Sequence, residues 1–256
     1  MTDKNIVSII VPCFNAVKYT KKCVESVLKN SSYPYELILI NNGSSDSTSQ
    51  YLKKLRPKSE FLKKVSIIDF KKNLGVAKAL NTGILKSSGR YVCYINNDVI
   101  VTKYWLEGLV YALNENKKNA VAGTMFNPFE NKTFVKKAEK NQKIIDIEAA
   151  RIRLENFNKV KKAKTVHGLC MCVKKSVFKK IGLFNENFYP CFGEDIEFCE
   201  RVKKAGYRLA DACGVYIFHF WNKSVRSKEF KKENKNIETV MNRHYKKFNI
   251  PEKHKI

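Results

Sequence analysis

The sequence lacks the glycine-rich turns that cradle phosphate groups in two large classes of nucleotide-binding protein. Neither Gly-x-Gly-x-x-Gly nor Gly-x-x-x-x-Gly-Lys-Ser/Thr occurs in the 256 residues. The first absence argues against a dinucleotide-binding Rossmann site, and the second excludes a P-loop. If this protein binds a diphosphate, another group must neutralise its charge, and a metal ion is the candidate.

Long apolar runs are also missing, and none approaches the roughly 20 residues that cross a bilayer. The first residues, Met1 to Asn5, are polar and lead directly into a strand pattern, so we identify no signal peptide. No Cys-x-x-Cys pair occurs, and six of the eight cysteines lie in apolar or periodic segments, where a free thiol packs as a small hydrophobe. These features predict a reduced, cytoplasmic protein.

Acidic residues are scarce relative to basic ones. The chain has 49 Lys and Arg against 24 Asp and Glu, a formal net charge of +25. This charge attracts polyanions such as nucleic acid, anionic lipid or phosphorylated small molecules. The lysines are spread along the chain, however, and a general bias towards Lys, Asn and Ile would give the same total without functional meaning.

Short apolar runs alternate with amphipathic helical patterns through the first half of the chain. Buried strands are predicted at Ile6–Phe14, Glu36–Ile40, Val65–Phe70 and Tyr91–Ile95, with helices between them. Pro12 lacks a backbone donor and therefore marks the exit of the first strand. The alternation predicts an α/β fold with a parallel sheet flanked by helices.

The second half continues with a helix from Trp105 to Leu113 and a strand from Ala120 to Phe126. The Lys-rich segment 127–164 breaks the rhythm and is interpreted as an irregular insertion with one weak helical pattern, Ile144–Phe157. Further strands are predicted at 166–173 and 207–220, separated by helices after Lys174 and Gly193. We expect one domain over residues 1–222 (halves 1–100 and 101–222) and a basic helical extension over 223–256, with its helix from 228 to 248.

Polar side chains follow each of the four parallel strands. These are Asn15, Asn41 with Asn42, Asn73, and the run Asn96-Asn97-Asp98. Ligands of open α/β sheets bind beyond the carboxyl ends of the strands, so this set predicts a crevice suited to a nucleoside. Asp98 could hold a hard cation there, with phosphates of the ligand completing its coordination. The alternative is that each residue is a turn former satisfying local backbone groups.

Two further positions suggest chemistry. Glu194 and Asp195 stand together at a predicted helix start, where they interact favourably with the helix dipole, or where one of them serves as a general base. His219 ends an apolar strand, either as a packed residue or as a nitrogen ligand to the cation held by Asp98.

Together, these motifs resemble the family-2 glycosyltransferases with the GT-A fold, over roughly residues 7–224. The first strand, ending Val-Pro-Cys-Phe-Asn, is similar to that of the family, and residues 36–46 resemble its Asp-Asn-Gly-Ser-x-Asp turn. Residues 73–83 match its Asn-x-Gly-x-Ala pattern, and 95–98 resemble its metal-binding Asp-x-Asp. Residues 193–195, followed by Arg201 and Gly206-Tyr207, resemble its catalytic Glu-Asp helix, and 219–224 its histidine-containing metal strand. Asn41 and Asn96 stand where the family often has Asp, which removes negative charge from the site.

The resemblance implies inverting transfer from a nucleotide-diphosphate sugar, of UDP or dTDP type, to a glycan or lipid-linked acceptor. Asp98 and His219 would bind Mg²⁺ or Mn²⁺, Asn96 would contact the ribose and Asn41 the base. Pro12, Asn15, Asn73 and Asn97 complete the implied donor site. Asp195 would deprotonate the acceptor hydroxyl, supported by Glu194.

Two other functions compete with this interpretation. A sugar-phosphate nucleotidyltransferase shares the architecture, but it needs a glycine-rich loop after the first strand, which Pro12 to Asn15 does not provide. A non-catalytic basic module would bind nucleic acid or anionic membrane through its lysines. We expect no nucleic-acid partner. The basic extension could rest on the inner face of the plasma membrane, but its thin apolar face favours packing on the domain.

Overall fold

The computed structural model describes residues 5–127, 131–221, 223 and 237–247. Its first four strands are β1 (Val7–Cys13), β2 (Tyr35–Asn42), β3 (Leu62–Phe70) and β4 (Tyr91–Ile95). They are parallel, as predicted, and lie in the order β3-β2-β1-β4. Pro12 is the last residue but one of β1, and the pairing of β1 with β4 ends at Ile10, so its missing N–H breaks no bond on that side.

The remaining strands complete a mixed sheet. They are β5 (Val99–Val101), β6 (Asn119–Phe126), β7 (Val160–Lys162), β8 (Cys170–Lys174) and β9 (Arg208–His219). The order continues β4-β8-β6-β9-β5, with β7 also pairing with β9. Strand β8 is antiparallel to both β4 and β6, whereas β6 and β9 are parallel. The parallel arrangement is therefore confined mainly to the first half of the sheet.

Helices cover both faces of the sheet, which is why its central strands are continuous apolar runs. The helices of the described residues are α1 (Val17–Asn30), α2 (Thr48–Lys54), α3 (Val76–Lys86), α4 (Trp105–Glu115), α5 (Lys132–Lys140), α6 (Gln142–Asn156), α7 (Lys175–Ile181), α8 (Glu194–Lys204) and α9 (Ile237–Lys247). Ile9 and Trp105 belong to the core on the side of α1, α2 and α4. Ile10, Leu80 and Phe198 belong to the opposite core, beneath α3, α7 and α8. All eight cysteines are buried and free.

The segment expected to be an irregular insertion is regular over most of its length, since it forms α5, α6 and β7. Helix α5 contributes few apolar residues, and Phe134 packs with Ile145 of α6 against Phe218 of β9. Because the apolar face is small and lies among many lysines, the sequence shows little helical periodicity. The expectation of an irregular segment was wrong for this reason.

A helix lies within the basic extension, as α9. The rest of the helix predicted from 228 to 248 lies outside the described residues. Across the described ranges, no helix combines the length and apolarity needed to cross a membrane.

Candidate active site

The turns after β1 and β2 are tied to each other. Asn15 has a left-handed backbone (φ 52°), and its side-chain Oδ1 accepts a hydrogen bond from the Ser45 N–H at 2.8 Å. The Asn15 N–H in turn donates to the Ser44 Oγ at 2.9 Å. Asp46 accepts from the N–H groups of Val17 and Thr48, both at 2.9 Å, so it satisfies the starts of α1 and α2. Asn15 therefore shapes the loop, and its side-chain oxygen is engaged by protein.

The amides after β2 bond to the ends of neighbouring segments. Asn41 Nδ2 donates to Asp69 Oδ1 at 2.6 Å, and Asn42 Nδ2 donates to Asn73 Oδ1 at 3.0 Å. Asp69 was missed by the sequence analysis, although it lies at the carboxyl end of β3 directly opposite Asn41. Hydrogen bonds from Lys53 and Asn41 lower the pKa of Asp69, against a smaller effect of burial. This edge therefore keeps a carboxylate although position 41 is an amide.

Gly43 permits the close approach of the β2 and β3 loops. Its φ is 73°, and a Cβ at this position would lie 2.2 Å from the carbonyl carbon of Lys72. Any side chain here would collide with backbone, so the turn requires glycine.

The run after β4 divides its polar side chains between the fold and the crevice. Asn97 is buried, and its Nδ2 donates to Thr20 Oγ1 at 2.9 Å and to the Asn15 carbonyl at 3.2 Å. Asn96 is half-buried, and its side chain has no hydrogen-bond partner among the described residues. Asn97 thus anchors the strand end to α1, whereas Asn96 keeps its amide available to a ligand.

Asp98 and His219 form a buried pair. Asp98 Oδ1 lies 3.0 Å from His219 Nε2, and Asp98 Oδ2 accepts from the Lys223 N–H at 3.0 Å. Pairing of β5 with β9 brings them together, because Val99 is opposite His219. Burial raises the pKa of Asp98, but His219 and the Lys223 N–H outweigh it, and the net pKa is lowered.

Asn127, which the sequence analysis also missed, fixes the backbone of His219. Its Oδ1 accepts from the His219 N–H at 2.7 Å, and its Nδ2 donates to the His219 carbonyl at 3.0 Å. The sequence signal for Asn127 was an asparagine directly after a predicted strand. These two bonds hold His219 in register although its Nδ1 has no hydrogen-bond partner among the described residues.

The donor set fits a small divalent cation. Asp98 Oδ1 and His219 Nε2 are 3.0 Å apart, so both could contact one ion. A carboxylate with an imidazole suits Mn²⁺ and related ions. Within the described ranges no group of three or more His, Cys, Asp or Glu side chains could hold a metal. A cation at this pair therefore needs further ligands from its substrate, as nucleotide diphosphates supply.

The Glu-Asp pair begins α8 after a strained loop. Phe192 has φ 75° and Gly193 has φ 101°. Asp195 Oδ2 accepts from the Gly168 N–H at 2.6 Å, and Oδ1 accepts from the Ile196 N–H at 2.9 Å. The half-buried Asp195 carboxylate is held in a fixed orientation by these bonds.

Glu194 is the buried member of the pair, with 6% of its surface exposed and no hydrogen-bond partner for Oε2 among the described residues. Burial and the neighbouring Asp195 raise the pKa of Glu194 to about 8. The Tyr94 hydroxyl is also buried and has no hydrogen-bond partner among the described residues. Gly168 packs closely against both Tyr94 and Asp195, because a Cβ at this position would lie 3.1 Å from Tyr94 Oη and from Asp195 Oδ2. Burial and the Asp195 charge thus favour the protonated form of Glu194.

Strand pairing places the two carboxylate sites around the same strand ends. The Asn96 N–H donates to the Leu169 carbonyl at 3.1 Å, next to the Gly168 N–H that holds Asp195. Trp221 packs at a tilt against His219, with ring centroids 4.4 Å apart and an interplanar angle of 42°. The predicted metal pair and the predicted base thus lie beside the ends of β4, β8 and β9.

Helix α9 contacts the loop before α8. His244 Nδ1 lies 2.8 Å from the Phe192 carbonyl oxygen and Nε2 lies 3.1 Å from the Tyr189 carbonyl oxygen. Burial lowers the pKa of His244, whereas these two carbonyl groups oppose that effect. Burial, together with Asp195 and Glu194, raises the pKa of Tyr245 to about 12. Helix α9 therefore supports the loop before α8 directly.

Comparison with known proteins identifies the family. Residues 8–182 match the sequence profile described as Glycosyl transferase family 2, which is more than half of the chain. The chain belongs to this family. The glycosyltransferase is 27% identical over 216 residues to glycosyltransferase AglE of Haloferax volcanii, covering 83% of this chain and 66% of AglE. Across eight curated relatives it spans 17% to 66% of their own lengths.

Solved structures confirm the fold of this glycosyltransferase. It resembles the mannosyltransferase PcManGT of Pyrobaculum calidifontis, in complex with GDP-Man and Mn²⁺, with a TM-score of 0.63 and 15% identity, covering 91% of this chain and 61% of that one. It also resembles residues 1–349 of S. aureus TarS, in complex with UDP-GlcNAc, with a TM-score of 0.57 and 17% identity, covering 88% and 63%. The mixed α/β architecture is thus of the GT-A glycosyltransferase type, as predicted.

Proposed function

We propose that this chain transfers a sugar from a nucleotide-diphosphate sugar, of UDP or dTDP type, to a hydroxyl of a glycan or lipid-linked acceptor, with inversion at the anomeric carbon. The observation that carries the proposal is the position of the buried Asp98–His219 pair and of Asp195 around the ends of β4, β8 and β9. The complexes of PcManGT with GDP-Man and Mn²⁺ and of TarS with UDP-GlcNAc support a nucleotide-sugar donor.

Asp98 and His219 would hold Mg²⁺ or Mn²⁺ against the donor diphosphate. The bound ion would supply positive charge to the departing diphosphate. The chain has no glycine-rich turn that could neutralise the diphosphate instead. Asn96 would contact the ribose with its unengaged amide. Asn41 would contact the base with the second proton of its Nδ2, since the first is donated to Asp69 and its Oδ1 accepts from the Ser44 N–H. Pro12, Asn15, Asn73 and Asn97 contribute by shaping the crevice, since the side chains of the three asparagines are hydrogen-bonded within the protein.

Asp195 would act as the general base. The acceptor hydroxyl loses its proton to the Asp195 carboxylate while its oxygen forms a bond to the anomeric carbon. The bond from that carbon to the diphosphate oxygen breaks on the opposite face, and the nucleoside diphosphate leaves. This displacement needs only one carboxylate. Glu194 would be protonated and would therefore place no second negative charge beside Asp195.

The test combines nucleotide binding with turnover. UDP, dTDP and GDP are screened by thermal shift with and without Mn²⁺, and released nucleoside diphosphate is assayed with the corresponding sugars. Saturating ligand is expected to raise the melting temperature by about 5–10 °C for a chain of this size. The preferred nucleotide should require Mn²⁺ for its full shift.

Three variants separate the roles. Asp98→Asn should lose the Mn²⁺-dependent shift, and Asp195→Asn should keep that shift but lose transfer by about 10²-fold or more. Asp146→Asn, an exposed change on α6, is the control and should match the wild type. If Asp98→Asn and Asp195→Asn both transfer sugar at the wild-type rate, the assigned roles are wrong.

The competing functions give different products. Release of pyrophosphate from a nucleoside triphosphate and a sugar phosphate would indicate the nucleotidyltransferase. Oligonucleotide binding with a steep salt dependence and no sugar turnover would indicate a basic binding module.

We also propose that the enzyme works in the cytoplasm, at the inner face of the plasma membrane when the acceptor is lipid-linked. The net charge of +25 supports that location. Co-sedimentation with phosphatidylglycerol vesicles, compared with neutral vesicles, tests it.

A further inference from the structure

A second pocket lies beside the site just described. Its volume is about 700 Å³, within the range of roughly 300–1,000 Å³ typical of small-molecule sites. It is bounded by α6, β7, β9 and the end of β6. Strand β9 opens it by a bulge, since Thr124 is opposite Ala212 but Met125 is opposite Tyr216, which leaves residues 213–215 without partners in β6.

The lining combines hydrogen-bonding groups with aromatic surface. Carboxylates come from Glu148, Glu155 and Asp211, cations from Arg151 and Lys161, and ring surface from Phe134. Arg151 is already paired, with Glu148 at 2.7 Å and Glu155 at 2.8 Å. The pocket thus has one more carboxylate than cations, and its guanidinium is neutralised by two carboxylates.

Tyr216 provides an independent sign of a ligand. Its side chain lines the pocket with only 3% exposure, and its hydroxyl has no hydrogen-bond partner among the described residues. Burial and the charge of Glu148 raise its pKa, so the hydroxyl stays neutral and can donate or accept. A buried phenol without a partner is costly, and a ligand hydroxyl would satisfy it.

The pocket adjoins both halves of the proposed active site. Phe126 lines it and packs edge-on against His167, with ring centroids 5.5 Å apart, and His167 precedes the Gly168 N–H that holds Asp195. Asn127 lines it as well and is the residue bonded to the His219 backbone. A ligand in the pocket would therefore lie on the Phe126 and Asn127 side of the site, with His167 and Gly168 between it and Asp195.

We propose that this pocket binds a neutral or amino-sugar unit of the acceptor glycan, adjacent to the unit that receives the new sugar. The proposal rests on the proposed function. A pyranose has hydroxyl groups around its rim and C–H groups on its faces, which match the carboxylates, the Tyr216 hydroxyl and the Phe134 ring. The charges disfavour a phosphate or polyuronate in the pocket, because its three carboxylates would repel it.

The test uses the full-length enzyme and two pocket variants. Tyr216→Phe removes only the hydroxyl, and Asp211→Asn removes only the charge. Tyr35→Phe is the matched control, because Tyr35 on β2 is also a buried tyrosine and lies outside the pocket. Binding is measured by saturation-transfer NMR with chitotetraose, its de-N-acetylated form, cellotetraose and, as the anionic arm, tetragalacturonate.

At least one neutral or amino-sugar probe should bind the wild type, and tetragalacturonate should not. Tyr216→Phe should weaken that binding about fivefold and Asp211→Asn about tenfold or more, whereas Tyr35→Phe should not. With a turnover-competent donor, hydrolysis to water should stay within about twofold of the wild type in both pocket variants.

The possible failures are distinct. Absence of binding by every neutral and amino-sugar probe, preference for tetragalacturonate, or unchanged binding in both pocket variants would overturn the pocket assignment, even if the donor is hydrolysed. Absence of donor turnover with every nucleotide sugar would overturn the proposed function, while glycan binding at Tyr216 and Asp211 would still stand as a lectin-like property.

Discussion

Replacing Glu194 by Gln tests the unusual environment of the Glu-Asp pair. Gln keeps the size of the buried side chain and cannot ionise. In the wild type the pKa of Glu194 is about 8, against an ordinary value of 4.5, because burial and Asp195 oppose its charge. The folded state therefore binds this proton more tightly than the unfolded chain does.

The sign and size of the effect follow from linkage. Stability contributed by protonated Glu194 is complete below pH 4.5 and is lost as the pH rises through about 8. Each pKa unit corresponds to about 1.4 kcal/mol, so a shift from 4.5 to about 8 gives a loss of at most about 5 kcal/mol, spread between these two pH values. Glu194→Gln should remove this dependence and make the protein more stable than the wild type above pH 8.

Urea unfolding measured at pH values from 5 to 9 provides the assay. Glu200→Gln, a half-exposed change on the same helix, is the matched control and should follow the wild-type profile. If Glu194→Gln loses stability with rising pH as steeply as the wild type, Glu194 is not the buried protonated group, and the reasoning about the pair fails.

Three other changes give separate outcomes. Asn97→Ala should lower the free energy of unfolding by about 1–3 kcal/mol, because it leaves buried hydrogen-bond partners unsatisfied. Asn96→Ala should instead raise the KM for the donor and change the melting temperature little. Equal effects of the two variants on stability would contradict the different roles assigned to these amides. Gly43→Ala should lower the melting temperature strongly because its Cβ would meet the Lys72 backbone, and a native-like melting temperature would contradict this. His244→Ala should lower kcat more than it changes nucleotide binding by thermal shift, since it frees the loop before α8; an unchanged kcat would contradict that support.

The first half of the sheet could be predicted well from sequence. Tyr91–Ile95 is a continuous apolar run ending in polar residues, and such runs are typical of strands buried on both faces. The strand ends that line the crevice follow directly from this pattern.

The sequence did not decide which polar residue at a strand end faces the ligand. Asn96 and Asn97 are chemically identical, and their difference depends on Thr20 of α1, which lies far away in sequence. Similarly, the three-residue strand β5 has too few residues to show a period, although it brings Asp98 to His219. From the residues, that pairing was only one of two alternatives for His219, and the family resemblance favoured it.

The pocket beside β9 could have been suspected from one residue. Gly214 interrupts an otherwise apolar strand, and an isolated glycine in a strand often marks a bulge. A Cβ there would lie 2.6 Å from the Asn156 carbonyl oxygen. The carboxylates of α6 gave no such signal, because a charged helix face usually points to solvent.

Asp98 and His219 are 121 positions apart, and β9 is the last strand along the described residues. A chain that ends before β9 would contain Asp98 but not His219, so the Asp98 carboxylate would lose the imidazole that lowers its pKa. If the proposed function holds, such a chain would have only one of the two cation ligands and would transfer no sugar. Activity would then begin only when β9 has joined the sheet.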